Sequence, residues 1–292
     1  MQPIFLDIPD HFNFKSTIYS HGWCDLLPFE IDNENWILSY VFGGRDGEDP
    51  TPALISEENG RLKIEIDSGT TIHESFLRDV RHILRLDDDL GGLYRSIEKK
   101  AGLEWVLEKR AGRLLRSPTV FEDLVKTICT TNCSWGLTKS MVTNLVEKLG
   151  GAAATGKKAF PTAAAMATVP AEFYRDEIRA GYRSPYFVEL AEAVASGKLD
   201  PEVWLTTDLP TPELKKEMKK IKGVGDYAAE NLLKLVGRYD GLALDSWLRS
   251  QFYKKHNREK PCPDKKIERH YKKYGPWRGL VIWCDMTEKW LV

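Results

Sequence analysis

No run of eighteen apolar residues occurs anywhere in the 292-residue sequence, so nothing in it is long enough to cross a bilayer as a helix. Its start, Met1-Gln2-Pro3, has neither the basic nor the apolar region of an export signal. The expectation is a cytoplasmic protein, nucleoid-associated if the source is prokaryotic, monomeric and without a membrane partner. Cysteine is scarce: Cys24, Cys129, Cys133, Cys262 and Cys284 are an odd number at scattered spacings, which fits reduced thiols rather than a disulfide framework. Cys129 and Cys133 stand one helical turn apart, but no further Cys or His falls at ligand spacing. They are read as buried small hydrophobes, and no metal site is expected. Internal repeats and low-complexity tracts are missing as well.

Net charge is nearly absent, at −1, yet it conceals a division. The first hundred residues hold 10 basic against 19 acidic side chains, which leaves 32 against 24 for the rest. From 249 to 273 ten basic residues face three acidic ones, interleaved with Phe252, Tyr253 and Tyr271, as a surface that tracks phosphates would be.

A hydrophobic content of 42% at this length allows a substantial core and suggests two domains. In the first hundred residues, 36–42, 53–57 and 62–66 are short β-rich runs, and Asn59-Gly60 between the last two is a hairpin signal. From about Thr70 the period becomes helical, with Phe76, Val80, Ile83 and Leu84 on one face, and only helices and loops are expected after it. Ser117-Pro118 reads as a cap with proline at the first helical position, opening a helix through Val125 and Ile128. The segment 135–149 is amphipathic and stopped by Gly150-Gly151, and 151–158 is a small-residue loop. Three short helices follow at 160–169, 171–180 and 185–196, and Thr211-Pro212 caps the next. The expected fold class is α+β: a β-containing N-terminal domain over 1–100 with an antiparallel sheet, then a helical body over 101–292.

The most informative stretch lies in that body. Residues 214–221 read as helix, Gly223-Val224-Gly225 as a tight hairpin and 226–236 as helix again. Two glycines permit positive φ and close backbone approach, and the N–H groups of the turn and of the second helix suit a phosphate oxygen. Lys215, Lys216, Lys219, Lys220 and Lys222 surround it. Twenty residues on, Asp245 precedes Ser246-Trp247 as a helix N-cap, and the same carboxylate can serve chemistry. Asp240, in a Gly-Arg-Tyr-Asp-Gly stretch, is read as a turn residue.

Lys222-Gly223-Val224-Gly225-Asp226-Tyr227-Ala228-Ala229 followed by Asp245 resembles the helix–hairpin–helix (HhH-GPD) DNA glycosylase superfamily, in particular 8-oxoguanine and 3-methyladenine DNA glycosylases. Ile128-Cys129-Thr130-Thr131-Asn132 resembles the helix end that sends an asparagine into the base stack. Gly181-Tyr182-Arg183 resembles the wedge tyrosine and the arginine that contacts the widowed base. Residues 276–283, from Pro276 to Trp283, resemble the C-terminal helix whose aromatic residue stacks on the extruded base.

The resemblance spans most of the chain and is weakest before Arg116. It implies two helical lobes with the active-site cleft between them, duplex DNA carrying a damaged base as partner, and phosphate contacts from Gly223, Val224, Gly225 and Lys222. It also implies a wedge of Asn132, Tyr182 and Arg183, and a pocket drawn from Tyr227, Trp283, Trp277 and Trp247. No cofactor is required, although a monovalent cation on the hairpin carbonyls fits the resemblance.

Breaking an N-glycosidic bond builds positive charge on the sugar, so a carboxylate beside the ring stabilises the transition state and can orient or deprotonate water; Asp245 has that place. Flipping the base costs a few kcal/mol, which wedge and gap-filling groups offset. One departure bears on mechanism. Relatives that also nick the strand carry a lysine two residues beyond the second hairpin glycine, where this chain has Tyr227, and a phenol cannot form a Schiff base. Lys222 and Lys234 do not match that position and are read as phosphate-contacting or solvent-exposed. Leu137 stands where another arginine would read the opposite base. Only Cys262 and Cys284 follow Asp245, too few for an iron–sulfur cluster. The expectation is a monofunctional glycosylase acting on damaged, alkylated purines. An 8-oxoguanine enzyme with altered mechanism and a non-catalytic module binding distorted or abasic DNA stay open as alternatives.

Overall fold

Alternation of apolar and polar residues builds one sheet in the computed structural model, which describes residues 2–44, 49–67 and 73–291. Its strands are β1 (Gln2–Asp7), β2 (Glu30–Asp32), β3 (Ile37–Phe42), β4 (Thr51–Glu58) and β5 (Arg61–Ile66), in the order β1-β5-β4-β3-β2, all antiparallel. Leu38, Tyr40, Ala53, Ile55, Leu62 and Ile64 fill its buried face. Asn59 and Gly60 both take positive φ, 51° and 74°, and turn β4 into β5 with Glu58 opposite Arg61. Two strands escape the sequence reading. Pro3 marks β1 against a central position, and β1 does lie at the edge, where a missing N–H does no harm. The other, β2, has three residues. The remaining elements are helical, so the fold is α+β, and no helix among the described residues is long and apolar enough to cross a membrane.

By contact the chain divides into two compact units, and the division runs across residue 100 rather than along it. The first unit is Met1–Asp10, His21–Asp87 and Leu115–Val203, so the sheet belongs with later helices. Thr70, where the period was expected to change, lies outside the described residues; the helix carrying Val80 and Ile83 is Glu74–Ile83. Helix α1 (Val120–Thr130) begins later than Ser117-Pro118 implies. Its cap is Thr119, whose hydroxyl accepts the Glu122 N–H at 3.2 Å, while Ser117 donates its N–H to Asp123. The Thr-x-x-Glu pattern of a capping box was the better signal there.

Beneath α1 lies a buried polar network. Lys126 pairs with Glu122 at 2.6 Å, Tyr40 donates to Glu122 at 2.7 Å, and Trp23 donates to Asp123 at 2.7 Å. Burial pushes the Asp123 carboxyl up to about 6 despite the bonds from Trp23 and Ser117. Helix α2 (Trp135–Leu149) has the expected bounds, with Ser134 as N-cap and Gly150 at its end, where a Cβ would sit 2.1 Å from the Ala159 carbonyl oxygen. The three short helices are Ala163–Ala167, Ala171–Asp176 and α3 (Ser184–Ala195).

The second unit is His11–Ser20, Asp88–Leu114 and Trp204–Val292. It contains α4 (Thr211–Met218), α5 (Asp226–Leu235), α6 (Ser246–His256), α7 (Asp264–Tyr271) and α8 (Arg278–Leu291). Thr211 is the first helical residue of α4 rather than its cap, which is Pro210. Leu93, Leu248, Phe252, Ile267 and Leu280 are among the side chains of one apolar core. Asp285 on α8 ties three helices together, accepting from Tyr271 at 2.5 Å and His256 at 2.7 Å and pairing with Lys255 at 2.9 Å.

Candidate functional site

Residues 219–225 join α4 to α5 in a tight turn, closed by the Val224 N–H on the Ile221 carbonyl at 3.0 Å. Gly223 alone takes positive φ there, 89°. Gly225, with φ −87° and ψ −171°, is extended, which any residue can adopt. A Cβ at 225 would meet no heavy atom within 4 Å, so no contact within the protein demands a glycine there. Gly225 is also the N-cap of α5, and no side chain caps that end. The surrounding lysines are less available than their sequence suggests. Lys215 and Lys219 both pair with Asp226, Lys216 pairs with Glu213 and Lys220 with Glu217, and Lys222 is exposed.

Asp245 is the N-cap of α6, as expected, and accepts the Leu248 N–H at 2.7 Å. The loop that delivers it, residues 237–245, is tied along its length. Gly279 at the start of α8 donates to the Tyr239 carbonyl at 2.7 Å and packs so closely that a Cβ would lie 2.1 Å from the Gly241 carbonyl oxygen. Arg278 donates to the Asp240 carbonyl. Ala243, in the left-handed region at φ 52°, donates its N–H to Glu230 of α5 at 2.5 Å, and Glu230 in turn pairs with Lys215 at 2.6 Å. The half-buried carboxylate thus projects from a loop whose course α5 and α8 dictate.

The fate of Lys234 corrects the sequence reading. It is 2% exposed on α5, donates to the Leu242 carbonyl at 3.3 Å, and its Nζ lies 5.8 Å from the centroid of the Trp283 ring. Burial pulls its ammonium down to about 8, against the opposing pull of Glu230 and Asp245. Neither solvent nor phosphate is what it meets. The signal was legible as a single charge inside Leu-Leu-Lys-Leu-Val.

Trp283 is fixed by its own N–H on the Ser20 carbonyl at 2.7 Å. Its ring neighbours Trp247 on α6 at 6.2 Å, and Trp290, seven residues along α8, at 5.5 Å. Trp290, 49% exposed and 5.3 Å from Trp247, was missed, although its spacing from Trp283 places both on one helix face. Trp277 stacks on Tyr239 instead, at 5.5 Å and 21°, and fills the space over Gly92. Tyr227 sits half-buried in the first turn of α5, two turns before Lys234.

The other predicted residues belong to the first unit. Asn132, just past α1, has φ 47°, and its amide donates to the Tyr182 hydroxyl at 3.4 Å. Tyr182 is 52% exposed and carries Arg183 on its ring at 4.5 Å. Arg183 itself is buried and committed to carbonyl oxygens at the end of α1, those of Ile128 and Thr131. A direct contact from it to a base would require those bonds to be exchanged.

His256, His270 and Asp285 bring ligand atoms within 4.8 Å of one another, the spacing of a metal cluster. The Lys255 ammonium lies on Asp285 at 2.9 Å, so a positive charge from the protein already meets that carboxylate. Burial pushes the Asp285 carboxyl up, but the bonds from His256, Tyr271 and Lys255 outweigh it and hold the group at about 2.

No protein-family model matches the sequence, and no curated protein matches it significantly. Solved structures do match in fold. MBOgg1, determined with a low-affinity DNA ligand, superposes with a TM-score of 0.79 at 20% identity over 99% of this chain and 96% of its own. The 8-oxoguanine glycosylase/lyase of Clostridium acetobutylicum gives 0.77 at 19% identity, over 98% and 96%. The 3-methyladenine DNA glycosylase of Archaeoglobus fulgidus gives 0.75 at 19% identity, over 99% of both chains. At these identities the likeness is one of fold.

Proposed function

We propose that this protein is a monofunctional DNA glycosylase: it flips a damaged purine, an alkylated one first of all, out of duplex DNA and hydrolyses its N-glycosidic bond with the help of Asp245. The observation that carries this reading is the Asp245 carboxylate, held at the head of α6 by a loop tied to α5 and α8. The bonding electrons leave with the base, positive charge grows on the sugar, and a fixed carboxylate stabilises it while orienting the attacking water.

The open face of Gly225 and the uncapped start of α5 suit a phosphate oxygen, and the paired lysines can exchange surface carboxylates for phosphates at small cost. Trp283 with Trp247 and Trp290 offers aromatic surface to an extruded purine. Exposed Tyr182 and Asn132 suit a wedge and gap filler, with Arg183 beneath them as their support. Tyr227, where strand-nicking relatives have an amine, is the basis for hydrolysis without a covalent intermediate.

Duplexes carrying single alkylated, oxidised or deaminated bases test the reading through alkali-labile sites. Asp245→Asn keeps the cap, since asparagine caps helices as well as aspartate, but removes the charge; release should fall by about 100-fold or more with the fold intact. Absence of any Asp245-dependent product across that panel would sink the enzymatic reading. Borohydride should trap no protein–DNA adduct, and a trapped one would overturn the monofunctional assignment.

A further inference from the structure

Lys234 places a cation against the ring of Trp283, 5.8 Å from its centroid, inside the unit that carries Asp245. Its Nζ is fixed by the Leu242 carbonyl and shut from solvent. The charged or titratable groups acting on it are Glu230 on its own helix, Asp245 at the head of α6 and Cys284 on α8. Burial holds the Cys284 thiol up at about 12, so it is neutral, and the two carboxylates are the groups that offset the ammonium.

We infer that Lys234 sets the charge selectivity of the Asp245 site, favouring excision of uncharged alkylated purines, such as etheno and O6-alkyl adducts, over purinium cations methylated at N3 or N7. The inference rests on the glycosylase reading above and on a purine stacking against Trp283. An indole attracts a cation through its quadrupole, and here Lys234 already engages that ring. A purinium stacked on it would hold a second positive charge about 9 Å from the ammonium; at an effective dielectric of about 20 the repulsion corresponds to a discrimination of at least about tenfold.

The same difference of one charge persists to the transition state. When a neutral purine leaves, the C1′–N9 bonding pair goes to N9 and negative charge builds on the base, which a nearby ammonium stabilises. Water adds to C1′, its proton passes to Asp245 or solvent, and the departing base takes a proton from solvent. A purinium passes from cation to neutral base, so Lys234 repels it once flipped and no longer acts on it at the transition state; measured from the stacked duplex it receives no help, whereas the neutral purine does.

The test compares single-turnover release of 3-methyladenine from methylated duplex DNA with release of 1,N6-ethenoadenine from a duplex carrying one such lesion, for wild type and Lys234→Met. At pH 7 the ratio of the first rate to the second should rise at least about tenfold in the variant. In the wild type the same ratio should climb between pH 7 and 9 as Lys234 loses its proton, and in the variant it should stay flat. Should the variant not fold, the wild-type pH profile decides alone. Asp245-dependent release with a ratio indifferent to both substitution and pH overturns the inference and leaves the glycosylase reading standing. No Asp245-dependent release of any lesion overturns both.

Discussion

Lys234 is an uncommon residue to find among Leu232, Leu233, Leu235 and Val236, all of them buried. Its ammonium falls from an ordinary 10.5 to about 8 because burial disfavours the charged form. A base whose folded value lies below its unfolded one contributes stability in full above the unfolded value, and loses it as pH falls through the folded value. At pH 7 the charged, buried lysine therefore costs about 3 kcal/mol relative to its neutral form. Lys234→Met, similar in length and apolar, should melt several degrees higher than wild type at pH 7, with the gap closing as pH approaches 10.5. Thermal melts at the two pH values check this, and a variant melting lower at both would show that the Leu242 and Trp283 contacts outweigh the desolvation.

Among the elements, the α4–α5 turn separates two jobs that the sequence presents as one pair of glycines. Gly223→Ala forces a side chain to φ 89° and should cost about 1–2 kcal/mol of stability, read by denaturant titration. Gly225→Ala meets no heavy atom and keeps an allowed conformation, so it should change stability by less than about 1 kcal/mol. On the proposed function it should weaken duplex DNA binding about tenfold, because the new methyl holds a phosphate off the backbone. Equal DNA affinity in wild type and Gly225→Ala would remove that turn from the interface.

The legibility of the chain follows the same line between local and tertiary causes. Helix α2, the β4–β5 hairpin and the Asp245 cap were readable because periodicity, Asn-Gly and cap chemistry act over a few residues. Strand β1 was not, since only its partner β5 tells a proline-bearing run that it is an edge. The start of α1 was misplaced because Ser117 and Thr119 are both cap residues, and the bond from Ser117 to Asp123 that separates them is a matter of three dimensions. At the site, the glycine turn and the carboxylate could be read from spacing. The role of Glu230 could not, because its bond to the Ala243 N–H is tertiary; Lys234 and Trp290 left local signals, a lone charge in an apolar run and a seven-residue spacing, that only packing turns into a buried cation and converging rings.

For the molecule as a whole, each unit holds a buried carboxylate, and the two respond oppositely to acid. Asp285 in the second unit is held at about 2 against an ordinary 3.8, so its contribution is present above 3.8 and disappears as pH falls toward 2. Asp123 in the first unit is raised to about 6; its contribution is present below 3.8 and is lost as pH rises through 6. Asp285→Asn should therefore melt below wild type at pH 7, and the difference should shrink as both are taken from pH 4 to 2. A difference that stayed constant over that range would show that the ionisation of Asp285 is not what the network with His256, Tyr271 and Lys255 rewards.

Gly279, like Gly150, sits where a Cβ would lie 2.1 Å from a backbone carbonyl oxygen, and it shapes the loop while contributing no side chain. Every replacement there pushes atoms into the carbonyls of Tyr239 and Gly241 and so displaces the loop that ends at Asp245. On the proposed function, a saturation scan scored on base release should mark 279 as intolerant as Asp245. What position 279 has to hold is an emptiness, and a search by chemical type passes over it.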